Sequence, residues 1–352
     1  MPSEMLSEMP LEMPSEIPQS KPSQSETPPT ATHTNRASSP AVAASQAQVD
    51  QLIEHINEQI ELLALDDPDP ALLRQMIRSL VDSRRAIRLR LIELLSQIGE
   101  PATPFLMEGL ANHPESVVRK ACCNALTNIG DPASVSGLVK ALLADADIGV
   151  KSAAAGALAK VGAPAFEPLR QVLASETASE SCKGHAAWAI ASMSDEVSEQ
   201  LYRHISDPEA TVRTAMIGAI AQLVQKQLPL AAAAQAGANS PAPEIQKSLS
   251  ILTEALSDSS AEVRIEAIAN LARLDYQKAY QPLITCLRDS DSGVRKAAAI
   301  ALAKLGNPEA IEALIPLQND DIDPDVNRAA ALAIEQLESK KTSMSNNPLI
   351  KR

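Results

Sequence analysis

The chain has 352 residues, a formal charge of −13 from 44 acidic and 31 basic side chains, and an apolar content of 45% with only 2% aromatic residues. A field of that sign repels phosphate backbones, and so few rings leave little to stack on bases, so nucleic acid is excluded as the expected partner. No run of 18 or more apolar residues is present to span a membrane, and the first residues lack the basic start and apolar run of a secretory signal, so a cytoplasmic protein is expected.

Residues 1–48 are low in complexity. Glu4, Glu8, Glu12 and Glu16 recur every four residues, followed by Met5, Met9, Met13 and Ile17, while Pro10, Pro14 and Pro18 forbid a continuous helix. With the Ser/Thr/Pro run up to Pro40, this composition predicts a disordered tail, either a solvating spacer or the carrier of a short docking motif. From Val49 the apolar residues Leu52, Ile53, Ile56, Ile60 and Leu63 fall at helical spacing and predict a capping helix over 49–66, ended by Asp66-Asp67-Pro68.

A repeat then sets in. Ile87-Arg88, Val118-Arg119, Val150-Lys151, Cys182-Lys183, Val212-Arg213, Val263-Arg264, Val294-Arg295 and Val326-Asn327 follow one another at steps of 31, 32, 32, 30, 51, 31 and 32 residues. A constant period of this size is the mark of a solenoid, in which each unit buries its apolar face only against its neighbours. Residues 130–162 give the grammar. Gly130 suits the turn that ends the preceding helix and Pro132 the first turn of helix A. Helix A carries Val135, Leu138, Val139 and Leu142, Asp145 lies in the turn, and helix B carries Ala153, Ala154, Ala157, Leu158 and Val161. The expectation is an all-α solenoid of eight two-helix repeats, repeats one to five over 70–225 and six to eight over 244–338. The step of 51 marks an insertion at 226–243, rich in Ala, Pro and Gly, predicted as a loop or hinge. Residues 339–352 are predicted as a disordered basic tail.

In five units an Asp lies six residues before the basic partner: Asp82/Arg88, Asp145/Lys151, Asp207/Arg213, Asp258/Arg264 and Asp289/Arg295. The Asp is expected to cap helix B, and the basic residue to reach an Asp of its own or the adjacent unit, giving a structural charge ladder with no catalytic role.

These features resemble HEAT repeats. The segments VRKACCNALTNIGDPA (Val118 to Ala133), VKSAAAGALAKVG (Val150 to Gly162) and VRKAAAIALAKLGNP (Val294 to Pro308) are similar, more narrowly, to the phycobilisome-lyase HEAT-like repeats of cyanobacterial proteins. The resemblance spans about residues 70–338. It implies a scaffold for phycobiliprotein subunits that attaches, detaches or chaperones a linear tetrapyrrole such as phycocyanobilin. Attachment joins a bilin vinyl group to an antenna cysteine, and the E/F-type lyases of the family work as a heterodimer, so a second HEAT-repeat subunit is implied too. It also implies that the B helices line the concave surface. The alternative is a non-catalytic adaptor for another cytoplasmic partner, such as an iron–sulphur assembly component.

Aligning the B helices isolates the candidate site. Cys122 and Cys123 fill slots that hold Ala154 and Ala155, or Ala298 and Ala299, elsewhere, so they read as small apolar fillers. Cys182 and Cys286 have no neighbouring His or Cys in sequence, and no metal site is expected. No Ser-His-Asp, Cys-His or paired-carboxylate set stands out, so no catalytic residue is assigned. Repeat four departs most. His185 stands where other units have Ala121, Ala153 and Ala215, and Trp188, the single tryptophan, stands where they have Asn124, Gly156 and Gly218. The preceding turn has Thr177 in place of the ladder Asp. The pair either fills a gap between units or forms, with Lys183, Gly156 and Gly218, a partner- or bilin-binding hot spot.

Overall fold

The computed structural model describes residues 40–61, 68–234 and 243–345. The chain divides into a unit of residues 1–45 and a unit of residues 46–352. In the first, the residues described are the start of helix α1. Every element among the described residues is helical. After α1 (Pro40–Glu61) come eight pairs: α2 (Pro70–Ser79) with α3 (Arg85–Ile98), α4 (Thr103–Asn112) with α5 (Ser116–Ile129), α6 (Val135–Ala144) with α7 (Ile148–Val161), and α8 (Ala163–Ala174) with α9 (Glu180–Met193). Then follow α10 (Ser198–Arg203) with α11 (Ala210–Ala234), α12 (Pro243–Glu254) with α13 (Ala261–Arg273), α14 (Tyr280–Cys286) with α15 (Ser292–Leu305), and α16 (Ala310–Asp320) with α17 (Pro324–Ser345).

The sequence dictates this build locally. Four B helices end on glycines with positive φ, among them Gly130 at φ 71°, where an L side chain would be strained. Pro132 then opens the 3-10 turn Pro132–Ser134 that leads into α6, where its missing N–H costs nothing. Repeat six lacks the glycine, and Asp275 takes the left-handed position at φ 52° in its place. The B helices stack on one another more extensively than the A helices do. Their contact faces are small: Cys123, Ala125, Ala155, Ala157, Ala299 and Ala301 are all buried, so the helix axes come close.

Three boundaries differ from those read in the sequence. Helix α1 begins at Pro40, nine residues before Val49, because Pro suits a first turn and Ala41, Ala43, Ala44 and Ala47 favour a helix; the remainder of the predicted tail, 1–39, and the end of the predicted capping helix, 62–66, lie outside the described residues. The segment read as an inserted loop from 226 is helical as far as Ala234, where a run of alanines carries α11 beyond Pro229, and 235–242 lie outside the described residues. The tail read as disordered from 339 continues α17 to Ser345. There Lys340 Nζ donates to the carbonyls of Ala303 and Lys304 at 3.5 Å, so a cation sits on the last turn of α15.

Of the two arrangements expected for the charge ladder, the side chains take the one that reaches the adjacent unit. Arg119 pairs with Asp145 at 2.7 Å, Arg213 with Asp258 at 2.7 Å, Arg264 with Asp289 at 2.6 Å and Arg295 with Asp321 at 2.7 Å, each reaching the turn of the following unit. The within-unit pairing is to backbone: Arg88, Arg213, Arg264 and Arg295 donate through Nη1 to the main-chain carbonyls of Asp82, Asp207, Asp258 and Asp289. An arginine fork can do both at once; a lysine cannot. Lys151 accordingly reaches only the Leu143 carbonyl and Cys182 Sγ, both at 3.5 Å. Nor does the ladder Asp cap helix B itself. Asp145 and Asp289 each accept the N–H two residues on, from Asp147 and Asp291, and those residues are the N-caps. Asp82 is clasped by Arg84, which also reaches Asp50 at 3.0 Å and so ties on the capping helix. In the eighth unit Asn327 stands in place of the arginine and keeps only the backbone half, donating to the carbonyls of Leu317 and Gln318.

Candidate functional site: the groove on helices α9, α11 and α13

Repeat four interrupts the ladder. Its turn runs from Ser175 to Ser179, longer than the Asp145–Asp147 turn of repeat three, and Ser175 Oγ accepts the N–H groups of Thr177 and Ala178 where a carboxylate would be. Asp207, the acceptor in the following turn, is taken by Arg170 of α8 at 3.1 Å. Lys183, the basic member of repeat four, pairs with Glu180 at 3.7 Å and lines a groove of about 620 Å³ formed by α9, α11 and α13. That volume falls in the range of clefts that hold a ligand or a partner's side chains.

One wall of the groove carries Lys183 and Trp188, its floor is small (Gly184, Ala187, Ala215 and Gly218), and α13 supplies the opposite wall. The Trp188 indole is 53% exposed, a large ring left uncovered on a helix otherwise faced with small residues. The gap-filling alternative for Trp188 therefore fails, since a filler would be buried. His185 is elsewhere. Its Nδ1–H donates to the Ser181 carbonyl at 2.6 Å, which holds the ring back along its own helix, and it does not line the groove. The helical reason is spacing: Gly184, Ala187, Trp188 and Ala191 make one face, and His185 lies on its flank. Gly156 of α7 also stays outside, with open space around its Cα. Gly218 lies in the floor, but the group that uses its space is a carboxylate: a Cβ there would meet Glu266 Oε1 at 3.1 Å. Of the five residues expected together, the structure assembles Lys183, Trp188 and Gly218.

The far wall is built from residues outside the expected set. Glu262, Glu266, Asn270 and Arg273 line it from α13. Asn270 is 5% exposed; its Nδ2 donates to the Glu266 carbonyl at 2.8 Å and to Glu266 Oε1 at 2.7 Å, while its Oδ1 accepts from Arg273 Nη2 at 2.7 Å. The slot comparison that singles out Trp188 also contains this signal. Asn270 stands where other units have Ala125, Ala157, Ala189, Ala219, Ala301 and Ala333, and Glu266 stands in the slot of His185.

The thiols of Cys122, Cys123 and Cys286 are inert packing. Burial pushes Cys122 and Cys123 up to about 12 and Cys286 up to about 11, so the thiolate is suppressed. Among the described residues no group of three or more His, Cys, Asp and Glu side chains is arranged to hold a metal ion, and no helix is long and apolar enough to cross a membrane.

A family model described as HEAT repeats matches residues 58–159, 103–191 and 249–335. The bilin biosynthesis protein MpeU of Synechococcus sp. (strain WH8020) is 27% identical over 223 residues, covering 63% of this chain and 70% of that protein. Among solved structures, human deoxyhypusine hydroxylase in complex with glycerol is 18% identical, with a TM-score of 0.33 over 80% of this chain and 99% of that one. The complex of CpcE and CpcF of phycocyanin lyase from Nostoc sp. PCC7120 is 16% identical, with a TM-score of 0.28 over 77% of this chain and 96% of that one.

Proposed function

This chain belongs to the HEAT-repeat family, and from that premise we propose that it is a protein-binding scaffold acting on phycobiliproteins, as a bilin lyase subunit or a chaperone-like holder. One observation carries the binding role: a half-exposed Trp188 on the wall of a 620 Å³ groove with a floor of small residues. An indole offers a flat apolar face to a conjugated ring or a partner side chain, and Lys183 beside it suits a carboxylate. Similarity to a bilin biosynthesis protein over 223 residues supports a linear tetrapyrrole as what the held partner carries. On this reading the groove holds the antenna subunit and shields its bilin, and the covalent step, where there is one, engages a second HEAT-repeat subunit.

The test is direct. The purified chain is mixed with phycocyanobilin and with antenna α or β subunits, alone and together, and visible absorbance and covalent adduct are followed. A shifted absorbance or an adduct that Trp188→Ala abolishes is the expected result. Binding of an antenna subunit with no response to pigment reduces the role to a pigment-independent holder, and no binding of subunit or pigment overturns the proposal in favour of an adaptor for another partner.

A further inference from the structure

We infer that the chain pairs with a second copy of itself, the Asp320–Asp323 turn of one copy seating on the edge formed by the starts of α3, α5 and α7 in the other. The contact uses none of the residues that line the groove, so it does not depend on what the groove holds.

The receiving edge is apolar and short of acceptors. Leu89, Val117 and Ile148 are 52%, 39% and 60% exposed, one near the start of each of three consecutive B helices. The stack brings these starts together: Asn128 of α5 donates to Ser96 of α3 at 3.1 Å, and a Cβ at Gly149 of α7 would meet Lys120 Nζ of α5 at 3.6 Å. The first rung of the ladder is incomplete here. In the slot of Asp145 the turn of repeat two carries His113, whose Nδ1 accepts the Glu115 N–H at 3.1 Å, as Asp145 Oδ1 accepts that of Asp147 at 2.8 Å. The ring's one acceptor is thereby used, and the Arg88 fork, anchored through Nη1 on the Asp82 carbonyl, finds no carboxylate in the next turn. Its Nε and Nη2 bond to nothing among the described residues and are open to solvent. Arg85 and Lys120 are exposed and, like Arg88, enter no ion pair of the described residues. Of the carboxylates at this edge, Asp82 is held by Arg84, Asp145 by Arg119 and Asp147 by the α7 N–H groups it caps, which leaves Glu115. Open cations among exposed aliphatic side chains, on a chain of charge −13, call for an acidic and aliphatic occupant.

The chain carries such a group itself. Ile322 is 94% exposed, the most exposed large apolar side chain of the described residues, and it stands where the other turns have Pro114, Ala146, Pro208, Ser259 and Ser290. Asp320, Asp321 and Asp323 flank it. Arg295 takes Asp321, while the exposed Asp320 carboxylate makes no ion pair among the described residues. Seated on the edge of a second copy, Ile322 leaves water among Leu89, Val117 and Ile148, and Asp320 supplies the carboxylate that the open cations lack. The two surfaces are unlike, so a closed pair forms where each copy offers both of them to the other about a two-fold axis. A bilayer suits the edge less well. The starts of α3, α5 and α7 carry no Trp or Tyr to anchor at a membrane interface, and an anionic plane would also meet the chain's acidic surface.

Sedimentation equilibrium of the full chain over a range of concentrations reads the pairing, and the mass should rise toward that of a dimer. Ile322→Ser, at a position exposed in the single copy, should weaken the association about ten-fold, as burial of one aliphatic side chain allows. Asp320→Lys should weaken it about five-fold, and adding Arg85→Glu to Asp320→Lys should restore it, because the exchanged charges meet across the contact. Trp188→Ala should leave it unchanged. A monomer at every concentration, an Ile322→Ser variant that associates as the parent does, or a double variant no better than Asp320→Lys overturns the inference. So does loss of the association in Trp188→Ala, which would move the contact to the groove. Binding to vesicles of anionic lipid that Leu89→Ser abolishes, with the chain monomeric, would assign the edge to a membrane and overturn it too. An Ile322→Ser monomer that still binds antenna subunits supports a contact separate from the groove and leaves the functional proposal standing.

Discussion

Removing Arg213 should open the seam between repeats five and six. Its guanidinium makes two parallel bonds to Asp258, Nε to Oδ2 at 2.8 Å and Nη2 to Oδ1 at 2.7 Å, and two more from Nη1 to the carbonyls of Asp207 at 2.9 Å and Pro208 at 3.0 Å. The two side chains are 11% and 14% exposed, so solvent screens them little. Breaking a fully buried pair costs about 3–5 kcal/mol, and hydrogen bonds to charged groups contribute about 1.5–3 kcal/mol each. Asp258 keeps its bonds from the Ser260 N–H and Ser259 Oγ and can relax toward water, so Arg213→Ala should cost about 2–3 kcal/mol, near the lower end of that range. The exposed pair Arg90–Glu93, at 38% and 57%, is the control and should cost less than about 0.5 kcal/mol.

Urea denaturation of Arg213→Ala, Asp258→Ala and the double variant gives a cycle, and the coupling between the two should be about 1–2 kcal/mol. Because the stability of a solenoid is a sum of units and interfaces, the loss should also appear as earlier unfolding of the units after the seam. An Arg213→Ala variant as stable as the Arg90→Ala control, or a cycle that sums to zero, would refute the view that the ladder holds adjacent units together.

The ladder also sets an acid limit. Hydrogen bonds from Arg119, Arg213 and Arg295 hold Asp145, Asp258 and Asp321 below the usual carboxylate range, against the opposing effect of burial. A lowered folded value means stability that is complete above the unfolded value of about 3.9 and lost as pH falls through the folded one, so thermal midpoints should be flat down to about pH 5 and fall below about pH 4; Asp258→Asn should flatten that fall while lowering the plateau. Installing the missing rung, Ser175→Asp with Lys151→Arg, should raise stability by about 0.5–1 kcal/mol in urea melts, and an unchanged midpoint would mean the longer turn of repeat four cannot present the carboxylate. A thiol reagent at pH 8 should leave Cys122 and Cys123 unmodified in the native chain and label them on unfolding, since burial holds both at about 12; labelling at native rates would contradict their buried packing.

Much of this was legible because the repeat is a register. The interval of the valine–basic pairs fixes eight helix pairs, and eight stand among the described residues. The ladder partners were half legible. Spacing names Asp207 and Arg213 and leaves open whether the guanidinium reaches its own turn or the next, because that depends on how units stack; stacking puts the Asp258 carboxylate within reach and leaves the Asp207 carbonyl to Nη1. The boundaries at Pro40, Ala234 and Ser345 are not legible in composition, because local helix propensity and, for Lys340, a tertiary contact with the end of α15 decide them. At the site, residue type exposed Trp188, while the orientation of His185 was settled by a bond to its own backbone that no spacing reveals.

The break in the ladder and the groove are two sides of one substitution. Where an Arg is basic partner and an Asp waits in the next turn, the side chain is committed to the edge, as for Arg213, Arg264 and Arg295. Repeat four has a lysine, which cannot fork, and the next Asp is already held by Arg170. Lys183 is thereby released from the edge and lines the groove next to Trp188. A Lys183→Arg variant tests this competition. If the longer fork returns to the Asp207 turn, the groove loses its cation and the seam between repeats four and five gains a clamp, so stability should rise by about 0.5–1 kcal/mol as carboxylate-dependent binding weakens. A variant that gains stability with binding unchanged would separate the two and place the groove's selectivity on α13 alone.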